Sequence, residues 1–369
     1  MDQNPYGMKI YAPSFKVIFP ENPSLQANFM RDVSSVAVDE ALNVPAHFRI
    51  ALHDRLDAES QKFTWLDNES LQPGVKIDLC LGYAQQVSCK GNSQSSDEFY
   101  FSGRIRNISP AFESFSSPTM SIEGYDFLQD FHASEKEIPQ ENVTYSDVVS
   151  QIAIKNGLVP SNVEKTTQVF PKIERDENES DFSFVNRLAS ILGFEFFLRN
   201  KNLFFQKPQD KAAAKISFEY GSTIINFTPL LKTSRLANEV KVTGWNKMTK
   251  EKVTATAGIS DISTSGGFAN MDRFISTAQG TRVSTKLEDR VVESAEEAKD
   301  LAMAQLKQRN EGFLTGTLEV TGDPRLRPGI TIDLKKVGTR FNGRYYVTKA
   351  LHSVGDTGYR TTLEARRCI

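Results

Sequence analysis

The chain has 369 residues, 44 basic against 46 acidic side chains and a formal net charge of −2, a length that calls for two or three domains rather than one core. So even a balance offers no electrostatic footprint for nucleic acid or an anionic membrane. No apolar run approaches the roughly 20 residues of a membrane helix, and the opening MDQNPYGMKIY lacks the basic-then-apolar pattern of a secretory signal.

Residues 1–130 read as strands. Ser35–Asp39 and His47–Leu52 alternate apolar and polar side chains, and the alternation resumes from Phe99 to Phe127. Between them stands LQPGVKIDL, Leu71 to Leu79. Pro73 presets the φ of a tight turn and Gly74 accepts the positive φ that a type II turn then demands. Val75, Ile77 and Leu79 follow with the two-residue period of a half-buried strand. The polar stretch Gln85–Asp97 reads as an exposed loop. Gly103, inside FSGRI, predicts a bulge or sharp bend, as does Gly343, inside FNGRY of the second copy.

Residues 131–212 change character. A helix is predicted from Thr144–Asp147 to a stop at Gly157, with Val148, Val149, Ile152 and Ala153 on one face. A second covers Asp181–Leu192, capped by Ser180 or Asp181, with Phe184, Val185, Leu188 and Leu192 inward and Gly193 as terminator. FEFFLRNKNLFFQ then reads as a hairpin turning at Asn200-Lys201. Helix, glycine and hairpin make an α+β insert.

Residues 213–369 are β-rich again. Glu239–Trp245 and Glu251–Ala257 pair as a hairpin in an excursion over 245–292, and Ser260–Thr281 has loop composition. Ser294 to Glu297 is a capping box opening a helix that ends near Asn310 and Gly312. LRPGITIDL, Leu326 to Leu334, then repeats LQPGVKIDL with six of nine positions identical, and FNGRY at Phe341–Tyr345 answers FSGRI at Phe101–Ile105. A glutamate closes each copy, Glu123 and Glu364. The same phrases in the same order predict an internal duplication: two similar small antiparallel β-barrels with an inserted α+β domain, a mainly β fold. The structural motif residues are Pro73, Gly74, Asp78, Gly103 and Arg104, and in the second copy Pro328, Gly329, Asp333, Gly343 and Arg344.

Motifs of catalysis are missing: the sequence contains no GxGxxG, GxxxxGK[ST], HExxH, GxSxG or CxxC. Cys80, Cys89 and Cys368 cannot all pair and lack metal-ligand spacing, so reduced thiols in a protein made in a cytosol are expected. With only four histidines, His47, His53, His132 and His352, a His-based metal or nucleophile site has few candidates, and His47 and His53, in or beside predicted strands, suit surface or core packing better than ligation. Asp78 and Asp333 recur at one place in each copy, where a solvated structural carboxylate outweighs an acid and base pair. Arg104 and Arg344 suit structural or subunit ion pairs better than a ligand role. The run Phe194, Phe196, Phe197, Phe204 and Phe205 suits a core better than a stacking platform, since no basic groove accompanies it. No catalytic residue, metal site or cofactor is expected.

SDFSFVNRLASILGFEFFLRNKNLFF and GDPRLRPGITIDL…FNGRYYVTKALHSV…GYRTTLEARR resemble the phage late control protein D family, the central hub of contractile baseplates and of VgrG-like spikes. The resemblance implies a structural, non-enzymatic homotrimer whose paired barrels reconcile a hexameric tail tube with a threefold spike. It also implies partners: a tube or tube-initiator protein, a spike protein and baseplate wedge proteins. Assembly in a bacterial cytoplasm into a tail baseplate or injection particle would follow. Fused relatives continue into a spike, so ending at Ile369 implies a separate spike protein or a cut chain. The rival readings are a wall-degrading baseplate enzyme, which requires two opposed carboxylates in a cleft, and a carbohydrate- or nucleic-acid-binding barrel.

Overall fold

The computed structural model describes residues 12–83, 87, 89, 98–132, 140–173, 175–176, 178–232, 236–246, 250–262, 284–291 and 295–368. The chain is mainly β. Its strands are β1 (Pro13–Ile18), β2 (Val33–Ala41), β3 (His47–His53), β4 (Lys76–Tyr83), β5 (Phe99–Ala111), β6 (Thr119–Asp126), β7 (Gln140–Val143), β8 (Val159–Val163), β9 (Phe170–Ile173) and β10 (Glu195–Arg199). They continue with β11 (Asn202–Gln206), β12 (Ile216–Glu219), β13 (Ile224–Leu231), β14 (Glu239–Asn246), β15 (Glu251–Gly258), β16 (Ser284–Val291), β17 (Leu314–Thr321), β18 (Thr331–Lys335), β19 (Gly343–Gly355) and β20 (Gly358–Arg367). The α-helices are α1 (Gln26–Asp32), α2 (Tyr145–Lys155), α3 (Asp181–Leu192), α4 (Ile259–Ile262) and α5 (Ala295–Asn310). Two compact units result, Met1–Lys207 with Glu319–Pro328 and Lys349–Leu363, and Pro208–Leu318 with Gly329–Thr348 and Glu364–Ile369.

In the first unit the strands pair in the order β1-β4-β5-β6-β3-β2-β19. Alternation buries Val36 and Val38 on β2, Phe48, Ile50 and Leu52 on β3, Ile77, Leu79 and Leu81 on β4, Phe101 and Ile105 on β5 and Ile122 on β6 in one common core. A flat sheet would set β5 and β19 on the order of 19 Å apart, because β6, β3 and β2 lie between them and neighbouring strands are about 4.8 Å apart. Yet the rings of Phe99 on β5 and His352 on β19 are 4.3 Å apart. The sheet is therefore rolled around its core as a barrel.

The insert has a core of its own. Thr144 caps α2 with a capping box closed by Asp147, Ser180 caps α3, and Gly157 and Gly193 end the two helices at φ of 72° and 65°. Val148, Val149 and Ile152 of α2 and Phe184, Val185 and Leu188 of α3 pack on Phe196, Leu198, Leu203 and Phe205 of the β10–β11 hairpin, which turns at Asn200 (φ 60°). β8 adds to β11 in parallel, a pairing hidden from sequence because five polar-rich residues carry little period. Asn43, in the turn after β2, clips the hairpin to the barrel: its N–H donates to the Phe196 carbonyl at 2.9 Å and its Oδ1 accepts the Phe196 N–H at 2.8 Å.

In the second unit β12 runs parallel to β18, and β18 is antiparallel to β19. β14 pairs with β15 antiparallel and with β16 in parallel. Val240, Val242 and Ala257 from β14 and β15 bury against Ala298, Ala302 and Leu306 of α5. The expected cap at Ser294, most of the loop Ser260–Thr281 and most of the loop Gln85–Asp97 lie outside the described residues.

Both Pro-Gly turns are present, with φ of 99° at Gly74 and 85° at Gly329. Each glycine donates its N–H across the sheet, Gly74 to Ile105 at 2.7 Å and Gly329 to Val347 at 2.9 Å, and the acceptor residue answers to Val75 or Ile330. The second phrases, however, are not in the same register. Ile77 faces Gly103, whereas Ile332 faces Tyr345, the counterpart of Ile105, so the copies differ by two residues. An even slip keeps every side chain on its face, which is why it is tolerated.

The bulge expected at Gly103 lies instead at Arg106, where the β5–β6 register shifts between Ile105 and Asn107. Gly103 serves close approach: a Cβ there would overlap the Tyr125 carbonyl. Nor is Gly343 a bulge: it begins β19 in regular register with Leu334 at φ 121°, where its Cβ would meet the Arg367 guanidinium. Gly124 is tighter still, because a Cβ would strike the Arg104 carbonyl of the paired strand. Gly124→Ala is expected to lower stability by about 2–3 kcal/mol, as overpacking does where only backbone can yield. Urea denaturation checks this, and a loss below about 0.5 kcal/mol contradicts it.

Candidate functional site, a polar seam in the first unit

The polar side chains with the most concentrated chemistry meet where the second copy's motif begins. Leu326, Arg327 and Pro328 each bind a different element. Arg327 forms a two-pronged ion pair with Glu40 of β2, at 3.1 Å from Nε and 3.0 Å from Nη2, and Nη2 also donates to the Tyr100 carbonyl of β5 at 2.7 Å. Its guanidinium lies 4.3 Å from the Phe99 ring centroid. The Pro328 carbonyl accepts from Arg199 Nη2 at 3.0 Å. Arg199 in turn lies over Phe197 and Phe204, a stacked pair with centroids 4.9 Å apart.

The Leu326 carbonyl fixes the tautomer of His352. A carbonyl only accepts, so Nε2 carries the proton and donates to it at 2.7 Å, and Nδ1 accepts from the Tyr359 hydroxyl at 2.8 Å. Burial pushes the His352 imidazole down to about 3, with Arg327 adding to the fall, so the ring is neutral. Burial pushes the Glu40 carboxyl up, and Arg327 and Arg199 pull it back. A small cavity beside this pair is lined by Glu40, Asp126, Phe197, Arg199 and Pro328. Asp126 is pushed up to about 8, first by burial and then by Glu40 and Asp130, against the N–H bonds of Ala46 and Leu128.

The seam is built from satisfied polar contacts. Glu40 is committed to Arg327, and both ring nitrogens of His352 are engaged. The sequence signal for it is a difference between the copies: Arg327 stands where Gln72 stands in the first, an extra charge at a matched position.

The charged motif residues each have local partners. Asp78 faces Ser102 and is bonded to the Tyr100 hydroxyl, whereas Asp333 faces Arg344 and lies 3.7 Å from Lys335. Arg104 pairs with Asp130 at 3.5 Å and lies over the Phe127 ring. Arg344 donates to the carbonyls of Lys211 and Ala212, 3.4 Å each. Phe194, Phe196 and Phe205 are buried in the insert's core, while buried Phe197 stacks on half-buried Phe204, so the aromatic run packs internally. Cys80 and Cys89 are joined by a disulfide, which corrects the expectation of reduced thiols, and Cys368 is unpaired.

Surfaces suited to partners lie elsewhere. β13 ends its sheet order and carries exposed Ile225 and Leu230. The β5–β6 hairpin projects exposed Phe112 and Phe115, the latter at φ 67°. Among the described residues no helix is long and apolar enough to cross a membrane.

No curated protein matches the chain. Among solved structures, the 43 kDa tail protein of prophage MuSo2 from Shewanella oneidensis superposes with a TM-score of 0.71 at 12% identity, covering 96% of this chain and 98% of that one. A tail protein of Neisseria meningitidis gives 0.68 at 12%, covering 96% and 97%. The E. coli c3393 protein, described as a component of the type VI secretion system, gives 0.54 at 13%, covering 90% and 73%. At these identities the likeness is one of fold, that of phage tail and secretion-spike proteins. A family model described as the Alg8 N-terminal domain matches residues 21–356. With more than nine-tenths of its length inside that match, the chain belongs to the Alg8 N-terminal domain family.

Proposed function

We propose that the chain is a baseplate hub subunit of a contractile tail or injection system, of the late control protein D and VgrG-like kind. Three copies would assemble, each giving two similar β units, so that six surfaces meet a hexameric tube or tube-initiator protein while the trimer holds a threefold spike. Baseplate wedge proteins would bind outside. The role is structural, in a tail or injection particle assembled in a bacterial cytoplasm.

The observation that carries this reading is the duplication within the fold. Both β units keep the Pro-Gly turn and its reciprocal cross-strand bonds, in a chain folded like tail proteins. The exposed edge of β13 and the Phe112–Phe115 tip are the surfaces offered to neighbours. Light scattering of the purified protein, alone and with spike or tube protein, is expected to give a trimer in at least one mixture. A monomer in all of them contradicts the proposal.

A further inference from the structure

The repeat extends beyond the Pro-Gly phrase to the order of the strands. In the first copy the strands neighbour one another as β4-β5-β6-β3-β2, and in the second as β18-β19-β20-β17-β13. The two orders match place by place and follow the same order along the chain, so β2 answers to β13 and β5 to β19. β5 and β19 are each 13 residues long. β19 gives its first residues, Gly343 to Tyr346, to β18, and its far half, Lys349 to Val354, pairs antiparallel with Ala41 to Val36 of β2. β5 gives its first residues, Phe99 to Arg104, to β4. Its far half, Arg106 to Ala111, lies beside β6 on one edge. On the other edge, among the described residues, no strand takes the place that β2 takes on β19.

The matching vacancy is on β13. β2 has β3 on one edge and β19 on the other, whereas β13 has β17 on one edge and ends the sheet order among the described residues. Its sequence, IINFTPLL, carries no charge, and Ile225 and Leu230 are 46% and 50% exposed. An edge strand that stays free in solution is ordinarily blunted by charged side chains. The far half of β5 is equally bare: Asn107, Ser109, Pro110 and Ala111 are exposed, and Phe112 follows them.

We infer that the far half of β5 in one copy of this chain adds antiparallel to the free edge of β13 in a second copy, repeating between chains the joint that β19 makes with β2 within one. The inference rests on the reading that copies of the chain assemble, and specifies the strands that join them. The contact is heterologous: one copy gives β5 and the next receives it on β13. Backbone hydrogen bonds hold such an added strand, and apolar side chains beside it lose exposure. Pro110 and Pro229 have no N–H, so this joint has fewer bonds than the six residue pairs of β2 with β19 allow.

The test uses the full chain with Cys368, the unpaired thiol, replaced by serine. One preparation carries Ser109→Cys in β5 and another Thr228→Cys in β13, both at exposed positions. Mixed and mildly oxidised, alone and in the mixtures used for light scattering, they are expected to give a disulfide-linked dimer that neither gives by itself. Asn107→Cys with Asn226→Cys covers a neighbouring register. Ile225→Lys with Leu230→Lys is expected to weaken self-association at least about tenfold, because charge on an edge opposes strand addition. A trimer by light scattering without a mixed disulfide from either pair overturns the joint and leaves the hub reading standing. A mixed disulfide without a trimer in any mixture supports the joint and contradicts the hub, and neither result contradicts both. Linkage of Ser109→Cys only to itself, or undiminished association of a folded lysine variant, also overturns the joint. Should the lysine variant lose its fold, the cross-linking decides.

Discussion

Arg327→Ala is expected to lower the free energy of unfolding by about 3–5 kcal/mol, the range found when one member of a buried ion pair is removed. The substitution leaves Glu40, 8% exposed, facing a cavity without its two-pronged partner. It also leaves the Tyr100 carbonyl unmatched and uncovers the Phe99 ring. The cost should come mostly from the stranded carboxylate. Glu40→Leu combined with Arg327→Met is therefore expected to regain most of the loss, because an apolar pair of similar volume leaves no charge to desolvate. Urea unfolding of the single and double variants measures the coupling. A single-variant loss below about 1 kcal/mol would place the pair among ordinary surface ion pairs and remove the seam from the account of stability.

Asp126→Asn should stabilise the protein in alkaline solution and leave it unchanged in acid. The folded-state pKa, about 8, stands above the ordinary 3.8, so the folded protein binds more protons than the unfolded chain between those values. Stability contributed by this group is complete below about pH 4 and falls as pH rises towards 8. The upper bound on that fall is roughly 5–6 kcal/mol, four pH units at 1.36 kcal/mol each. Asparagine keeps an oxygen for the Leu128 N–H, a bond of 3.0 Å in the wild type, and carries no charge to desolvate. The gain should therefore grow steadily from pH 4 to 8.5 and exceed about 1 kcal/mol at the upper end. A difference between the proteins that does not vary with pH would refute the assignment of Asp126 as a buried neutral acid.

Periodicity and punctuation made much of the fold legible. Thr144, Ser180, Gly157 and Gly193 mark helix ends through local chemistry, so α2 and α3 follow from the sequence nearly to the residue. β4 and β18 are equally visible, since each follows a turn that glycine makes possible. β1 was not visible: six residues of strand become persuasive only when β4 lies beside them, and that neighbour is more than fifty positions away. The same limit hid the seam. Glu40, Asp126, Arg199 and Arg327 come from separate elements, and nothing local marks them as partners. Only the charge that separates LRPG from LQPG hinted at it. Matching FSGRI to FNGRY found the duplication but misplaced the bulge, because letters align without regard to which carbonyl a strand pairs with.

The two-residue offset between the copies has a geometric meaning for anything that binds both. One step along a strand advances about 3.3 Å, so corresponding letters in the two motifs sit about 7 Å out of phase along their ladders. A ring built from such subunits would alternate between two kinds of contact. Its apparent sixfold symmetry would be a threefold pattern of unlike pairs, and a binding partner would need either a flexible contact or two slightly different ways of gripping.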